Sequence, residues 1–474
     1  MKRPNLTNNN HVRFWCLLGI LLLLIMIRYS IQVDIPRVIF IAVISLVVLF
    51  GDQDEVMAMI LCCIPLHESV DFFYTLVLCT VVYVLKFYRQ IRLRTDVLLI
   101  LLMIVWELLH CLRSSFSIMT FISNVIPLIV LAVMMAADVK MLDYAFIVRA
   151  VAWVTLGVSL VLFLKVLFFS NFNIPVAIAG LRRLGSDQHS GIVDVAVSGG
   201  QINPNTLGIV TVLVSTGLMQ IKSMKRGRAE DMVLMCAVIV FAALGASRTY
   251  LVCLVLMMVL LILSEKGGIV RKTRSMFKLL CIITVAMCFF AMVFPENFEY
   301  YVSRFSVADI TTGRDDLMVR YHNFIVRNPD VMIFGIGLQN FGDRLIEYYR
   351  VAENVPHNSI QELVIAWGLP GVFLFVALIL TMIAMSKKHC KHQSLINYIP
   401  LIIILVKGMA GQMLNSPYTM LAFSYAYLSL CADLSPKDEQ RIFTRTQTIP
   451  RGSGHNINPS FRKDKKRGRK RPPA

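Results

Sequence analysis

Three basic residues stand in short polar stretches where they could act on a phosphorylated ligand. Arg248 lies in a short turn between two apolar runs, Arg314 begins a polar part of a long loop, and His357 precedes another apolar run. The planar guanidinium group of arginine binds phosphate oxygens in pairs. A histidine that is neutral near pH 7 accepts a proton from an attacking hydroxyl. These residue types hint at a ligand that carries phosphate.

Each of these residues also has a simpler interpretation. An arginine at the rim of a membrane extends its side chain to the lipid headgroups, and the local sequence leaves anchor and site roles for Arg248 equally open. A single histidine before an apolar helix more often caps the helix or lies at the interface. The chemical interpretation of His357 gains weight if it meets the arginines on one face of the membrane, which depends on the topology of the chain.

The composition of the chain is that of a multi-pass membrane protein. Of its 474 residues, 57% are hydrophobic and 16% are charged, and its mean hydropathy is +0.68. A soluble domain usually has about 25% charged residues, so a soluble enzyme, a disordered protein and a disulfide-rich secreted scaffold are excluded. About fourteen apolar runs, of which 56–66 is the shortest, would use about 280 residues. We therefore predict an all-α, polytopic bundle of about fourteen transmembrane helices in residues 1–436.

Clusters of lysine and arginine assign the loops to the two sides of the membrane. Counting fourteen crossings from a cytoplasmic N-terminus puts every cluster between the runs on the cytoplasmic side, as the positive-inside bias requires. Two long loops, about 169–204 and about 295–359, are then extracytoplasmic. Neither contains lysine, yet the second has six arginines and nine acidic residues. The positive-inside bias should deplete lysine and arginine alike in extracytoplasmic loops. Arginine without lysine therefore again hints at a phosphate-bearing ligand.

The second long loop contains a predicted helix and a pair of glycines. Acidic residues follow Arg314, apolar residues recur at helical spacing, and Pro329 stops the pattern after Arg327. The backbone amides and Arg314 at the start of this helix would suit an anion. We interpret Gly335 and Gly337 as a turn, because a short Gly-x-Gly without a strand and a helix around it lacks the setting of a nucleotide-binding fingerprint.

Other polar residues receive no chemical role from the sequence. Asp52 and Asp54 resemble an Asp-x-Asp metal motif, but the topology puts them in a short, solvated cytoplasmic turn. Glu107 and His110 would lie near the outer end of their apolar run. Lys407, inside a run, is expected to face the interior of the bundle.

The net charge of +18 is concentrated at the C-terminus, where twelve of the 47 lysines and arginines fall in residues 437–474. Such a tail most simply lies disordered and cytoplasmic over anionic lipid headgroups, at about 1 kcal/mol per basic residue near the surface. Nucleic-acid binding is the weaker alternative, because no folded domain or aromatic interleaving accompanies the basic run. No cysteine lies between positions 288 and 390, so we expect neither a metal site nor a disulfide in the large loop.

Taken in order, the segments from 242 to 375 resemble the O-antigen ligase and polymerase superfamily of bacterial membrane glycosyltransferases, which includes the Wzy polymerases and the WaaL ligases. The similar pieces are Gly245-Ala246-Ser247-Arg248, Gly313-Arg314, Asn328-Pro329, Phe334-Gly335-Ile336-Gly337, His357-Asn358-Ser359 and Trp367-Gly368-Leu369-Pro370-Gly371. The stretch 200–205 is similar to an asparagine-containing segment of the family. The loop helix departs from the family with Met318 where an aromatic residue is common, and the N-terminal half matches only in hydropathy.

The resemblance implies a GT-C-like fold in the bacterial cytoplasmic (inner) membrane and transfer of a glycan from undecaprenyl diphosphate to an acceptor hydroxyl outside it. In this scheme Arg248 and Arg314 bind the diphosphate and His357 removes the hydroxyl proton, without a cofactor or a metal ion. The expected substrate-binding residues are Arg183, Asn205, Arg320, Asn358, Gly335 and Gly337. The expected partners are a lipid-linked oligosaccharide, its glycan acceptor, the lipid bilayer, a flippase and a chain-length regulator, and no nucleic acid.

The leading function is polymerisation of repeat units for a capsule, an exopolysaccharide or an O-antigen. A ligase that moves a finished glycan onto lipid A-core, another envelope acceptor or a protein would use the same residues; fourteen rather than twelve apparent crossings mildly favour the polymerase. A transporter or flippase would instead have paired charges near the bilayer midplane and often an internal repeat. The sequence has no evident repeat, and its distinctive polar residues lie at the predicted outer face.

Overall fold

The computed structural model of the chain describes residues 11–66, 72–92, 95–112, 118–183, 204–244, 247–265, 267–295, 298–299, 302, 314–338, 356, 358–390, 392–409 and 417–433. Within these residues the protein is helical: no strand is present, and one isolated bridge joins Ile91 to Ala137. The chain divides into two units, Met1–Leu434 and Ser435–Ala474. The predicted basic tail falls in the second unit, which lies outside the described residues.

The described helices before the first long loop, and the one that enters it, are α1 (Val12–Ser30), α2 (Arg37–Phe50), α3 (Gln53–Leu66), α4 (Phe72–Phe87), α5 (Thr95–Leu112), α6 (Ile118–Ala136), α7 (Tyr144–Phe169) and α8 (Ile174–Arg183). Those that follow are α9 (Pro204–Ser223), α10 (Ala229–Leu244), α11 (Arg248–Ser264), α12 (Ile269–Val293), α13 (Arg314–Arg327), α14 (Pro329–Phe334), α15 (Ser359–His389), α16 (Leu395–Met409) and α17 (Pro417–Leu430).

Six of the described helices, namely α1, α6, α7, α9, α12 and α15, are long and apolar enough to cross a membrane. Four shorter apolar helices, α2, α5, α11 and α16, accompany them. The apolar helix α12 buries none of its side chains within the chain. Such a surface is stable only when lipid or another apolar surface covers it. The all-helical, membrane-embedded class is thus confirmed, and the number of about fourteen crossings stays a prediction.

The shortest apolar run forms the enclosed helix α3. Every residue from Glu55 to Leu66 is buried, and the helix packs mainly on α7 and α4. Its 14 residues extend about 21 Å, which is less than the roughly 30 Å of a bilayer's hydrocarbon core. A helix that other helices surround does not need the full length of a lipid-facing span, and this explains why the run is short.

Contacts near the helix ends show which ends lie at the same level. Tyr144, at the start of α7, donates its hydroxyl hydrogen to Gln220 near the end of α9, and Gln220 contacts Ser429 near the end of α17 at 2.7 Å. Cys390, just after α15, contacts the carbonyl oxygen of Cys431, just after α17. The ends of α9, α15 and α17 therefore lie together, with the start of α7. We call this the basic end, after its residues Lys222, Lys225, Lys387 and Lys388.

The opposite end of the bundle holds the starts of α9, α11 and α15, and we call it the loop end. The first turns of α9 and α11 lie side by side, because a Cβ atom at Gly208 would lie 2.6 Å from the Cβ of Tyr250. The C-terminal part of α5 also lies here, since the indole of Trp106 donates to the carbonyl oxygen of Trp367 at 2.9 Å. The clusters after α9 and α15 thus share one end, as the charge distribution predicts. That the basic end is cytoplasmic stays a prediction.

Polar side chains inside the bundle have hydrogen-bond partners from other helices. Arg149 on α7 donates to both carboxylate oxygens of Asp231 on α10, at 2.7 and 2.9 Å. It also donates to the carbonyl oxygen of Arg226 at 2.9 Å. Asn397 on α16 donates to the carbonyl oxygens after and within the last turn of α17 at 2.8 and 3.0 Å. Such pairing is needed because lipid offers polar groups no partners.

Candidate active site at the loop end

Arg248 is the first residue of α11 and is half-buried. The helix begins here because the Ser247 hydroxyl accepts the backbone N–H of Tyr250 at 3.2 Å and so caps the first turn. The Tyr250 hydroxyl then donates to the carbonyl oxygen of Ile239 at 3.0 Å, which fixes the start of α11 against α10. The sequence Ser-Arg-Thr-Tyr thus holds Arg248 at the loop end by an ordinary helix cap.

Asn205 and Arg183 are placed by their backbones. Asn205 is the second residue of α9, and the close approach of Gly208 to Tyr250 puts the starts of α9 and α11 side by side. Asn205 and Arg248 therefore begin neighbouring helices at the same level. Arg183 is the last residue of α8, a short helix that packs on α7. The side chains of Asn205 and Arg183 lie outside the described part of the structure.

The predicted loop helix is confirmed as α13, which begins at Arg314 and ends at Arg327. Its inner face buries Tyr321 and Phe324, while Arg320 is exposed. The side chain of Gln361, in the first turn of α15, donates to the carbonyl oxygen of Met318 at 2.7 Å and ties the two helices together. The backbone of Arg314 is thus fixed near the start of α15. Its side chain is not among those described.

His357 lies outside the described residues, but both of its neighbours are placed at the start of α15, where Pro356 and Asn358 are buried. The side-chain oxygen of Asn358 accepts the backbone N–H groups of Ile360 and Gln361 at 2.9 and 3.3 Å. This is the geometry of a helix N-cap. The structure therefore uses Asn358, a predicted substrate-binding residue, to begin the helix that follows the candidate base.

The helix α15 is broken at Gly368, whose φ of 65° is outside the helical region. Two residues later, Pro370 has no backbone N–H to donate to the carbonyl oxygen of Ala366. The carbonyl oxygens before the break find other donors. Ile365 accepts from the backbone N–H of Ile336 at 2.8 Å, and Ala366 accepts from that of Gly337 at 2.7 Å.

Gly335 and Gly337 form an extended segment that docks into this break, and do not form the expected turn. Their φ angles are 76° and 86°, which favour glycine. A Cβ atom at Gly335 would lie 2.5 Å from the carbonyl oxygen of Ala366. The N–H of Gly335 donates to the carbonyl oxygen of Val331, and the N–H of Gly337 donates to that of Ala366. Their amides are thus used inside the protein and their shape serves close packing, and the assignment of both glycines to substrate binding stays a prediction.

Glu107 is a central residue of this junction to which the sequence assigned no role. Its side chain is 0% exposed. The backbone N–H of Leu338 lies 3.0 Å from each carboxylate oxygen, and the indole N–H of Trp367 donates to Oε2 at 2.7 Å. The signal for this residue was its charge within an apolar run, because such a group must face the protein interior and find partners there.

The predicted interior position of Lys407 is confirmed. Its side chain is buried on α16, and its ammonium group donates to the Thr419 hydroxyl at 3.0 Å and lies 5.4 Å from the ring centre of Tyr418. The helix α16 packs against α11, which begins with Arg248. A buried cation therefore lies beside the helix that carries the first candidate arginine.

The predicted site residues fall into two groups at the loop end. Arg248 and Asn205 begin α11 and α9, and α11 packs chiefly on α9 and α16. Arg314 and Arg320 belong to α13, which packs on α14 and α15 beside Asn358. The structure therefore brings both groups to the same end of the bundle, on different sets of helices.

The sole group of histidine and carboxylate side chains among the described residues that is close enough to hold a metal ion lies at the basic end. It comprises His11, Asp52 and Glu55. The imidazole Nδ1 of His11 lies 2.9 Å from Glu55, and the Arg13 guanidinium lies 3.4 Å from the same carboxylate. Asp54 accepts the backbone N–H of Asp143 at 2.8 Å and so makes a structural contact, while the side chain of Asp52 is exposed, as the predicted solvated turn requires.

Comparison with known proteins finds no matching family model and no matching curated protein.

Proposed function

We propose that the protein is a membrane glycosyltransferase that polymerises lipid-linked polysaccharide repeat units. The observation that carries the proposal is the gathering of the candidate residues at one end of the bundle. Arg248, Asn205, the start of α13 with Arg314 and the residues flanking His357 all lie at the loop end. The lysines that follow α9 and those at the end of α15 lie at the opposite end, which is the arrangement expected if the loop end faces the outside.

In the proposed reaction, a hydroxyl oxygen of the acceptor sugar attacks the anomeric carbon of the lipid-linked glycan. The bond between that carbon and the diphosphate oxygen breaks, and the undecaprenyl diphosphate leaves with the electron pair. The imidazole of His357 takes the hydroxyl proton. Arg248 and Arg314 stabilise the charge that develops on the diphosphate, where their forked N–H groups match the phosphate oxygens. A single displacement of this kind inverts the anomeric configuration.

Other residues would complete the site. Arg183 and Arg320 are suited to bind further phosphate or sugar oxygens, and Asn205 belongs to the helix start that lies beside the start of α11. Asn358 holds the start of α15 and thereby the chain around His357. Lys407 is buried next to α11; it would add positive potential behind the diphosphate.

The nearest alternative is a ligase that transfers a finished glycan to lipid A-core, another envelope acceptor or a protein, because it needs the same diphosphate chemistry. A flippase is a different class and would carry paired charges near the bilayer midplane. The half-buried Arg149 and the buried Asp231 pair and join α7 to α10 near the basic end. The position of this pair beside the start of α10 is that of a structural contact.

The test is reconstitution of the purified protein with a lipid-linked repeat unit, followed by separation of the products on a gel. We expect the wild-type protein to produce a ladder. Arg248→Lys, Arg314→Lys and His357→Ala should each reduce elongation by about 100-fold or more, because each removes a group that acts in the transition state. Arg274→Lys, an exposed position on α12, is the matched control and should keep wild-type elongation. Wild-type ladders from all three site variants would refute the proposal, and lipid transfer across the vesicle without elongation would favour the flippase.

A further inference from the structure

We propose that Glu107 is a positioning residue of the loop end, whose carboxylate holds the segment 335–338 in the break of α15. By doing so it would set the position of α13, the helix that carries Arg314 and Arg320. The link to catalysis rests on the proposed function; the docking itself does not.

The surroundings of Glu107 suit an ionised carboxylate. The backbone N–H of Leu338 points to both of its oxygens, the indole N–H of Trp367 points to one, and the thiol of Cys111 lies 3.7 Å from the other. These three neighbours are donors, and a carboxylate is the side chain that only accepts. Hydrogen bonds to a charged acceptor are roughly twice as strong as neutral ones, and burial strengthens them further.

The docked segment packs closely against neighbouring residues on two sides. A Cβ atom at Gly337 would lie 2.7 Å from the Cβ of His110, so the segment lies flush on α5 one turn beyond Glu107. On the other side, a Cβ at Gly368 would lie 2.5 Å from the carbonyl oxygen of Ile333. The segment is therefore enclosed between α5 and the break in α15. Glu107 contacts the last residue of the segment, Leu338.

The docked segment 335–338 restrains the position of α13 because only Asn328 and the short helix α14 lie between them. The helix α14 ends at Phe334, directly before the docked segment, and Asn328 joins α14 to α13. The side chain of Asn328 donates to the carbonyl oxygen of Phe324 at 2.8 Å and stiffens this joint. A second tie, from Gln361 to Met318, holds the other part of α13 to α15. Loss of the Glu107 contacts would loosen the docked segment next to α14, while the Gln361 tie between α13 and α15 would remain.

The first test measures docking without any substrate. Hydrogen exchange followed by mass spectrometry on the full-length protein in nanodiscs reports the amides of Ile336, Gly337 and Leu338. Glu107→Gln keeps the size of the side chain but places an NH2 group against an N–H donor. We expect exchange of the 331–338 peptide to become about tenfold faster or more. Unchanged exchange in this peptide would overturn the proposal.

Two further variants separate positioning from general instability. Glu55→Gln makes the same substitution at a buried glutamate of the basic end and should leave exchange at 331–338 unchanged. Trp367→Phe removes one donor to Glu107, so adding Glu107→Gln in that background should accelerate exchange less than it does in the wild-type protein. Equal acceleration by Glu55→Gln, or additive effects of Glu107→Gln and Trp367→Phe, would contradict a specific role of the carboxylate.

The catalytic part of the proposal is tested in the reconstituted elongation assay. We expect Glu107→Gln to raise the KM for the lipid-linked repeat at equal protein abundance, with partial recovery in Glu107→Asp, which keeps the charge. Faster exchange with wild-type elongation kinetics would overturn the positioning role while the docking stands. Absence of elongation by the wild-type protein would reject the proposed function and leave the docking result intact.

Discussion

Two buried glutamates, one at each end of the bundle, are stabilised in different ways. Glu55, at the basic end, is 5% exposed and contacts His11 at 2.9 Å and Arg13 at 3.4 Å. Glu107, at the loop end, receives the backbone N–H of Leu338 and the indole N–H of Trp367. The first carboxylate contacts ionisable side chains, and the second accepts hydrogen bonds from neutral donors of the described residues around a helix break.

This difference indicates how each end is built. The basic end is joined by side-chain contacts between different helices, both charge pairs such as Arg149 with Asp231 and neutral contacts such as Gln220 with Ser429. The loop end is joined by backbone groups that fit only where glycine allows close approach, as at Gly335 and Gly368. We therefore expect the loop end to be sensitive to changes of backbone shape and the basic end to be sensitive to changes of charge.

The largest effect on stability is expected from Gly368→Ala. A side chain at this position would adopt a φ of 65° and place its Cβ 2.5 Å from the carbonyl oxygen of Ile333. Strain and the backbone clash together should lower the free energy of unfolding by about 4 kcal/mol, seen as a lower thermal midpoint in detergent. Gly19→Ala in α1, where nothing lies within 4 Å of the added Cβ, is the matched control. Equal thermal midpoints for Gly368→Ala and Gly19→Ala would contradict the expected sensitivity of the loop end to backbone shape.

At the basic end, Arg149→Ala should cost about 3 kcal/mol of unfolding free energy, because it leaves the buried Asp231 carboxylate without its cation. The midpoint of thermal unfolding again measures the effect. A double variant, Arg149→Met with Asp231→Leu, removes both charges and should recover most of the loss. If the double variant is no more stable than Arg149→Ala, the charge pair is not what joins α7 to α10.

The smallest expected effect is a pH dependence that arises from His11. Its hydrogen bond with Glu55 raises the pKa of His11 against the opposing effect of burial, with Asp52 and Asp54 adding to the rise. A raised pKa means that the pairing stabilises the protonated imidazole. This contribution is complete below about pH 6.5 and is lost as the pH rises through the raised pKa.

The thermal midpoint should therefore fall modestly as the pH increases from 6 to 8.5. His11→Gln should flatten this dependence, and His389→Gln, at the end of α15, should not. A dependence of the opposite sign, or one that survives His11→Gln, would show that another group is responsible.

Local signals in the sequence predicted the parts of the structure that depend on neighbouring residues. The helix from Arg314 to Arg327 follows from its acidic first turn and the proline beyond its end, and the interior position of Lys407 follows from its place in an apolar run. These elements are decided within a few residues of the chain.

Contacts between distant residues escaped prediction. Glu107 meets Leu338 across 231 positions, and nothing local shows that the carbonyl groups before Gly368 would accept from Ile336 and Gly337. Gly335 and Gly337 were expected to form a turn because their contacts with the break in α15 cannot be read from neighbouring residues. The apolar run of α3 was likewise too short to predict a membrane span with certainty from the sequence. Its enclosure by other helices, which explains its length, is a tertiary property.

The central claim is that the loop end binds a lipid diphosphate through two groups of residues. It is tested most directly by photo-crosslinking the purified protein with an undecaprenyl diphosphate analogue that carries a photoreactive group next to the phosphates. We predict labelled peptides from the start of α11, at Arg248, and from α13, at Arg314, with both signals lost when unlabelled lipid diphosphate is in excess. Specific labelling confined to the basic end, around Lys222 and Lys387, would contradict the claim.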